Sequence, residues 1–567
     1  MIIQGKKVWI MAAAIAVLMM VAFYAMPRGR MLVWRMIDRP DDYVKTVVIP
    51  AERGKIYDSK GNVLATNKIV YDLHMDCCAV EDPNAWREKS RRLAQELSAA
   101  LPHRTAPQWW DYLQGARQNR RRFIPIVKNV DYSVIDSLNG LTLLNEGTYK
   151  GGKIVTEKVV REYPYGTLAR RTIGVWREGL QDYLFGLEGQ FDGDLNGEAG
   201  YRELKVGQRR GRRRQWEISR KDETDGWDIH TTLDIKKQAV ADSVLLAAVE
   251  SDNDIAGGCL ALMEVGTGKV VALANIHRLD NGMTGEYYNY MLSHSYEPGE
   301  VAQTMTLAAA LSDGIINSLD EKLPINHARF TGTDSISVAE GFAKSSRDVT
   351  SALSMKYAEY PDYYYQWYDT FCIGGSDFDI SGMRELDMVN PIARDANTLV
   401  SMGSGFEFTV CPMHMLAFYN TVANGGVLME PMLVNRMESD RYGAQYMKPV
   451  VLNDKVFRED VADSLKKALT LCVEEGTAKA LQGMPQRIAG KTGTSRQIID
   501  PDLRGGSMDP YCDSEGRMQY AGTFAGFYPA ESPRYSVICV LFTKPTHNPL
   551  YGGLLPAETV KRFVEGM

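Results

Sequence analysis

The chain has 567 residues, of which 45% are hydrophobic and 24% are charged, and its formal net charge is −6. This length is too great for one compact core, so we expect two or more domains of ordinary globular composition. The slightly acidic balance gives no indication of nucleic-acid binding.

An uncharged apolar segment lies close to the N-terminus. Val8–Met26 is long enough to cross a hydrocarbon layer of roughly 30 Å as a helix. A cleaved signal peptide fits less well, because no Ala-x-Ala site follows and the chain continues with Pro27-Arg28-Gly29-Arg30. Basic residues flank both ends, so charge alone leaves the orientation open. We therefore predict a retained transmembrane anchor.

The first third of the chain shows both strand and helix patterns. Val47–Ala65 reads as strand, turn and strand, with the turn at Ser59–Asn62. Asp82–Leu101 and Ala106–Gln118 have helical periodicity with charged faces. The basic run Arg209–Arg214 is interpreted as a surface loop, and a docking site for a partner or an anionic polymer is the alternative.

The C-terminal half predicts an antiparallel sheet with helices packed against it. Its predicted elements are a helix over Ile235–Val249 and four strands over Gly258–Glu264, Lys269–Ile276, Gly522–Tyr528 and Tyr535–Thr543. The aromatic cluster Tyr360–Tyr368 is interpreted as helix core rather than a ligand platform.

The eight cysteines do not form a recognisable framework. Cys77 and Cys78 are adjacent, which disfavours a bridge between them, and the others are scattered, several in apolar runs. We expect no essential disulfide. Cys411-Pro-Met-His414 has the spacing of half a metal site, but no second pair of ligands follows, so no metal site is predicted.

One stretch organises the rest of the chain. Tyr296–Gln303 contains a Pro-Gly turn that leads into an apolar run ending at Leu311, before Gly314, and this predicts a helix. Glu300 stands at the start of that helix, where unpaired backbone N–H groups favour a negative charge. An acyl-transfer enzyme would place a serine nucleophile there and use the N–H groups as oxyanion donors.

Several motifs resemble those of class B penicillin-binding proteins, the peptidoglycan D,D-transpeptidases. They are Arg53-Gly54-Lys55-Ile56-Tyr57-Asp58, Arg161-Glu162-Tyr163-Pro164-Tyr165-Gly166, Gly186-Leu187-Glu188, Asp225-Gly226-Trp227-Asp228-Ile229 and Glu297-Pro298-Gly299. The resemblance covers nearly the whole chain. It implies an α+β fold in which residues 1–27 form a cytoplasmic tip and transmembrane helix. Residues 28–225 then form an elongated, mostly-β, non-catalytic pedestal, and residues 226–567 form a transpeptidase-like domain with helices on both sides of an antiparallel sheet.

The resemblance also implies three motifs around one cleft. The family's Ser-x-x-Lys pair is replaced by Glu300 and Gln303. In the family's Ser-x-Asn motif, Ser345 matches and Arg347 replaces the asparagine. The family's Lys-Thr-Gly strand is intact at Lys491-Thr492-Gly493, and the backbone N–H of the next residue, Thr494, would complete the oxyanion hole.

These replacements predict that no catalytic residue is functional. Attack by the Glu300 carboxylate on an amide would give a mixed anhydride more reactive than the substrate. Our hypothesis is that Glu300 pairs with Lys491, Arg347 or both and closes the cleft. The candidate substrate-binding residues are Ser345 and Lys491-Thr492-Gly493-Thr494, although Gly493 also fits a strand that packs closely. No cofactor is expected.

Three functions are compatible with the sequence. The first is an inactive, single-pass inner-membrane homologue, largely periplasmic, that acts as a scaffold or regulator in peptidoglycan synthesis or cell division. By resemblance, its partners would be a SEDS-type glycosyltransferase and other division or elongation proteins. The second is an active D,D-transpeptidase using a non-standard route. The third is a non-covalent binding module for stem peptides or β-lactams through Ser345, Lys491 and Thr492.

Overall fold

The computed structural model describes residues 43–177, 179, 185–209, 212–324, 335–372, 387–388 and 395–567. It divides the chain into two compact units, Met1–Arg53 with Asn196–Gly226, and Gly54–Leu195 with Trp227–Met567. The predicted anchor Val8–Met26 lies outside the described residues. Within the described ranges, every helix is too short or too polar to span a membrane. The predicted domain boundary at residues 225 and 226 stays a prediction.

Across the described residues, the strands fall into two large sheets, one three-stranded sheet and three two-stranded pairs. In chain order they are β1 Tyr43–Ile49, β2 Ile56–Tyr57, β3 Val63–Met75, β4 Ile124–Val130, β5 Lys153–Glu162, β6 Gly200–Arg209, β7 Arg212–Lys221, β8 Asp228–Thr231, β9 Ile255–Glu264, β10 Val270–Arg278, β11 Thr284–Gly285, β12 Lys322–Pro324, β13 Ser335–Ser337, β14 Asp387–Met388, β15 Phe408–Thr409, β16 Leu428–Met429, β17 Val434–Ser439, β18 Gly443–Tyr446, β19 Val451–Asn453, β20 Ala489–Gln497, β21 Gln519–Tyr528 and β22 Tyr535–Thr543.

The helices lie between and beyond these strands. They are α1 Pro83–Ala100, α2 Ala106–Gln118, α3 Tyr132–Leu138, α4 Gly147–Gly151, α5 Arg170–Ile173, α6 Gly186–Gln190, α7 Asp192–Asn196, α8 Ile235–Glu250, α9 Tyr290–Ser293, α10 Gln303–Ser312, α11 Val338–Ala343, α12 Arg347–Ser354, α13 Pro361–Phe371, α14 Ala396–Gly403, α15 Pro412–Ala423, α16 Glu459–Glu474 and α17 Leu555–Glu565. A 3₁₀ turn over Gly299–Ala302 leads directly into α10.

The first unit contains an antiparallel sheet in the order β1-β6-β7. The predicted strand–turn–strand over Val47–Ala65 is therefore only partly right, because its first strand pairs with β6 rather than with the hairpin that follows. The hairpin of β2 and β3 is present, and the Asp58 carboxylate accepts the N–H groups of Lys60 and Asn62, both at 2.8 Å. Of the basic run predicted as a surface loop, Arg209 ends β6 and Arg212–Arg214 begin β7, whereas residues 210 and 211 lie outside the described residues.

A seven-stranded sheet lies in the second unit, in the order β18-β17-β8-β2-β3-β4, with β5 paired to β3. Helices α1 and α2 pack against β3 and β4 around Trp86, Leu93 and Trp109. This region was predicted to be mostly β, and that label is wrong, because the amphipathic helices supply much of its core. The two helices themselves were predicted and are confirmed.

An antiparallel sheet of six strands, in the order β11-β10-β9-β22-β21-β20, borders the candidate cleft at its β20 edge. On β9, Leu260 and Leu262 face the cluster that includes α8 and α17, whereas Cys259 and Ala261 face the cluster that includes α10 and α15. Alternate residues of a strand point to opposite faces, so both faces of this sheet are buried under helices. The predicted antiparallel sheet with helices on both sides is confirmed.

Helix α10 is buried along its whole length. Its Thr306 hydroxyl lies 2.7 Å from the Tyr364 hydroxyl of α13. Tyr368, also on α13, donates its hydroxyl proton to the Met402 carbonyl at 2.9 Å. The aromatic cluster is thus helix core, as predicted, and it fixes the helix that begins at the cleft.

Backbone packs directly against backbone beside the 3₁₀ turn. The Gly299 N–H donates to the Gly405 carbonyl at 2.9 Å. Gly405 has a φ of +87°, and a Cβ built on it would lie 1.8 Å from the Gly299 carbonyl oxygen. A side chain at 405 would therefore push the turn out of place, whereas glycine allows both the conformation and the approach.

We predict that Gly405→Ala lowers the free energy of unfolding by at least about 2 kcal/mol, through backbone strain and the clash with Gly299. Gly483 is the matched control, because its φ is +77° and nothing lies within 4 Å of the added Cβ. Gly483→Ala should cost only about 1 kcal/mol, the penalty of the left-handed conformation. Urea denaturation of both variants measures the difference, and equal losses would contradict the packing argument.

Candidate functional site

The Glu300 carboxylate joins two elements of the cleft. It lies in the 3₁₀ turn before α10, and its Oε2 accepts the backbone N–H of Thr494 at 2.8 Å. Thr494 belongs to β20, the edge strand of the six-stranded sheet, so this N–H is directed away from the sheet and toward the turn. A carboxylate that accepts such an N–H makes a charge-assisted hydrogen bond, worth roughly 1.5–3 kcal/mol.

Arg347 supplies a second, weaker contact to the same carboxylate. Its Nη2 lies 3.5 Å from Glu300 Oε1, and the Arg347 side chain is 65% exposed while that of Glu300 is 15% exposed. An exposed pair at this distance contributes about 0–1 kcal/mol. The bond to the Thr494 N–H is therefore the stronger restraint on Glu300. The predicted pairing of Glu300 with Arg347 is present.

Gln303 lies at the floor of the site, as the first residue of α10. It is fully buried, and its Nε2 is 3.5 Å from the Thr350 hydroxyl on α12. Its Oε1 makes no hydrogen bond to any described residue. An amide has no proton affinity suited to deprotonating a hydroxyl at neutral pH, so Gln303 cannot replace an amine as a base.

Lys491 is fully buried, and its amine forms a hydrogen bond with Ser345 rather than with Glu300. Its Nζ donates to the Ser345 hydroxyl, and also to the Thr492 carbonyl at 3.4 Å. Within the described residues it forms no ion pair with Glu300, so this alternative of the pairing hypothesis is wrong. Burial lowers the pKa of Lys491, because desolvation disfavours the ammonium form.

Thr477, which the sequence motifs do not identify, belongs to the same hydrogen-bonded group as Ser345, Lys491 and Thr492. Its hydroxyl lies 2.6 Å from the Thr492 hydroxyl and 3.5 Å from the Ser345 hydroxyl. Thr477 follows the C-terminal end of α16, where a lone threonine after a glycine carries no motif. Ser345 itself has a φ of +57°, a left-handed conformation that is uncommon for serine.

Gly493 is explained by packing. A Cβ built on it would lie 2.8 Å from the Pro298 carbonyl oxygen and 2.9 Å from the Val301 nitrogen. The strand therefore passes so close to the 3₁₀ turn that only glycine fits. This is the close-packing interpretation of the motif, and it applies whether or not the cleft binds a ligand.

Glu297 is a second carboxyl group that sequence reasoning used only as a motif marker. It is 1% exposed, and its Oε1 accepts the Glu407 N–H at 2.9 Å and the Tyr511 hydroxyl at 3.1 Å. Its Oε2 makes no hydrogen bond to any described residue. Burial raises the pKa of Glu297 to about 7, because desolvation outweighs the two donors.

Cys411 and His414 are buried at the start of α15, with Cys411 Sγ 3.2 Å from His414 Nδ1. Across the described residues no three potential ligands cluster as a metal site. All eight cysteines lie in the described ranges, and none forms a disulfide there.

Comparison with known protein families shows to which family this chain belongs. A family described as the penicillin binding protein transpeptidase domain matches residues 258–565, and the penicillin-binding protein dimerisation domain matches residues 48–231. The chain belongs to the class B penicillin-binding proteins. The match to the transpeptidase domain includes all five of these cleft residues: Glu300, Gln303, Ser345, Arg347 and Lys491.

Similar curated proteins come from diverse bacteria. The chain is 25% identical to the probable peptidoglycan D,D-transpeptidase PenA of Neisseria meningitidis over 551 residues, which are 92% of this chain and 85% of that protein. It is 25% identical to the peptidoglycan D,D-transpeptidase FtsI of Escherichia coli over 569 residues, covering 94% of this chain and 87% of FtsI. Stage V sporulation protein D of Bacillus subtilis is 23% identical and covers 92% of this chain and 78% of its own length.

Solved structures share the class B fold. Penicillin binding protein 2X of Streptococcus thermophilus gives a TM-score of 0.67 at 18% identity, covering 92% of this chain and 80% of that chain. A peptidoglycan synthetase of Bifidobacterium adolescentis gives a TM-score of 0.65 at 20% identity, covering 92% of this chain and 96% of that chain. At these identities the likeness concerns the fold alone.

We predict that Glu297→Gln removes a pH-dependent loss of stability. A pKa raised from 4.5 to about 7 means that the folded state favours the neutral carboxyl. Its stabilising contribution is complete below about pH 4.5 and is lost as pH rises through about 7, by up to about 3 kcal/mol. The glutamine keeps the Oε1 acceptor and has no charge to desolvate.

Urea unfolding at several values between about pH 5 and pH 8 measures this effect. The stability of the Gln variant relative to the native chain should increase with pH over that range. The exposed Glu359→Gln variant is the control and should follow the native chain throughout. Parallel curves for the native chain and Glu297→Gln would contradict the assignment.

Proposed function

We propose that this class B penicillin-binding protein is a catalytically inactive scaffold or regulator in peptidoglycan synthesis. The single observation that carries the proposal is the 2.8 Å bond from the Thr494 N–H to Glu300. In this family's arrangement that N–H would stabilise the oxyanion of an acyl-transfer intermediate. A carboxylate of the chain itself now occupies it.

The remaining catalytic parts support the same proposal. No hydroxyl nucleophile stands at position 300, and the buried amide of Gln303 provides no base. Loss of a nucleophile and its base typically removes roughly a million-fold of rate, and residual oxyanion stabilisation does not restore it. Here even that residual contribution is compromised, because Glu300 occupies one of the donors.

The binding-module alternative receives less support from the same contacts. Lys491 is fully buried and donates to Ser345, and the Thr492 hydroxyl contacts Thr477. A stem-peptide carboxylate would have to displace these internal partners and approach the Glu300 carboxylate, which carries the same charge. We therefore assign the cleft no ligand.

As a scaffold, the chain would act through its other surfaces. We propose a single-pass anchor at Val8–Met26 in the inner membrane, with the rest of the chain in the periplasm. The proposed partners are a SEDS-type glycosyltransferase and other division or elongation proteins. Co-purification with the full-length chain, compared with a chain lacking residues 1–27, tests whether a membrane partner is retained through the anchor.

We predict that a fluorescent penicillin leaves the native chain unlabelled. The variant Glu300→Ser/Gln303→Lys/Arg347→Asn restores the family's three altered positions and should form a covalent adduct. Glu300→Ser alone is the matched control, and it should be labelled far more weakly because no lysine activates the hydroxyl. Labelling is read by gel fluorescence and mass spectrometry. A covalent adduct on the native chain would refute the inactive assignment.

We also predict that a peptide ending in D-Ala-D-Ala shows no saturable binding to the native chain. The donors that would hold its carboxylate are already used within the protein, and Glu300 repels it. Isothermal titration calorimetry measures the binding, with Glu300→Ala as the comparison variant. Saturable binding to the native chain would instead establish the binding-module function.

A further inference from the structure

A basic cavity lies in the second unit, among strand and loop residues outside the transpeptidase-like cleft. It has a volume of about 520 Å³ and is lined by the end of β5, by α5 and by the loops on either side of α5. We refer to it as the β5 cavity. Cavities of roughly 300–1,000 Å³ are the usual size of small-molecule sites. None of the cleft residues Glu300, Gln303, Ser345, Arg347 and Lys491 lines this cavity.

Among the described residues, every charged side chain that lines the β5 cavity is positive. These side chains are Lys158, Arg161, Arg170 and Arg177. The charge of Lys158 is balanced by Asp72 at 3.0 Å. Arg170 and Arg177 form no ion pair with any described residue. Two positive charges without an ionic partner among the described residues therefore border a partly enclosed space, which favours an anion.

Arg161 provides an independent indication of an anionic ligand. Its side chain is only 1% exposed, and its Nε donates to Glu188 at 2.7 Å. Its Nη1 donates to Asn67 at 3.0 Å. Its Nη2 is buried and makes no hydrogen bond to any described residue. A buried guanidinium nitrogen without an acceptor is costly, and an anionic oxygen is its natural partner.

The walls of the cavity are held in place before any ligand arrives. The Tyr163 hydroxyl accepts the Trp176 N–H at 2.7 Å and donates to Glu188 at 3.3 Å. Gly174 has a φ of +92°, and a Cβ built on it would lie 2.0 Å from the Phe185 carbonyl oxygen. These contacts fix the loop after α5 against its neighbours. A preformed site loses little conformational entropy on binding.

We propose that the β5 cavity binds an organic anion. A carboxylate or phosphate group would contact Arg161, Arg170 and Arg177, and an apolar or ring-bearing body would pack against Tyr165, Leu168 and Ile173. Carboxylates and phosphates each present a pair of anionic oxygens that the planar guanidinium group binds through two parallel N–H donors. The site is separate from the cleft and does not depend on whether the cleft is active.

The test titrates the full-length chain in detergent with inorganic phosphate and, separately, with citrate. Intrinsic tryptophan fluorescence is the readout, because Trp176 lines the cavity. Both anions should give saturable curves that weaken with added salt. Arg170→Ala/Arg177→Ala removes two of the three proposed charge-assisted contacts and should weaken binding by at least about tenfold. Trp176→Phe should remove the signal.

Arg121→Ala/Arg122→Ala is the matched control, because it removes the same charge from an exposed turn after α2. Its binding should equal that of the native chain. Arg177→Glu, at an exposed position, serves as a second variant if the double substitution affects folding, and it should weaken binding at least as much. Saturation by only one of the two anions supports the site and identifies its chemistry. If neither anion saturates, or if the control loses as much affinity as the cavity variant, the proposal is overturned.

Discussion

The hydrogen bond from the Thr494 N–H to the Glu300 carboxylate connects the start of a buried helix to the edge of the main sheet. Both partners are held rigidly. α10 is buried along its length, and β20 passes so close to the 3₁₀ turn that Gly493 has no room for a side chain. A carboxylate introduced at position 300 therefore meets the N–H group without any rearrangement. In this scaffold, a backbone N–H placed where it could stabilise an oxyanion donates to a carboxylate oxygen of the chain itself.

The two cations of the cleft respond to that carboxylate differently. Arg347 is largely exposed and reaches Glu300 with a long, flexible side chain, so its contact is weak and adds little to stability. Lys491 has no such freedom, because it is fully buried and its Nζ is occupied by Ser345 and the Thr492 carbonyl. The Thr494 N–H, rather than either cation, thus dominates the environment of Glu300. A description of the cleft by its Glu300–Arg347 salt bridge alone would attribute the stabilisation of Glu300 to the weaker of its two contacts.

Local sequence patterns are sufficient to predict many of the helices and strands of this fold. Helical periodicity predicts α1, α2 and α8, and the turn residues predict the β2–β3 hairpin. Local pattern fails where strand pairing is long-range. It predicts that β1 belongs to the neighbouring hairpin, whereas β1 pairs with β6, some 150 residues later in the chain. Nothing within a strand's own sequence specifies such a partner. The mostly-β label failed for another reason, since it came from the family resemblance rather than from the amphipathic helices.

In the cleft, sequence could place Glu300 but not choose its partner. The Pro-Gly turn fixed its position at the helix start, and the motif order brought Arg347 and Lys491 near it. Which cation would pair depended on burial, because a lysine enclosed beside Ser345 cannot turn toward solvent as an exposed arginine can. Thr477 and the unsatisfied oxygens of Glu297 and Gln303 were likewise invisible, since hydrogen-bond satisfaction is a property of the assembled core.

The preserved shape of the cleft does not by itself argue for preserved chemistry. Gly299, Gly405 and Gly493 are required by close backbone contacts around the 3₁₀ turn, and each would resist substitution in an inactive protein. Lys491 is similarly constrained, because removing a buried amine would leave Ser345 and the Thr492 carbonyl without their donor. An intact Lys-Thr-Gly segment is therefore what packing alone would retain. Relative to the motifs that the family resemblance implies, positions 300 and 347 differ where side chains reach a backbone N–H or solvent. At position 303 the resemblance implies an amine, and the buried Gln303 is a neutral amide that needs no counter-charge.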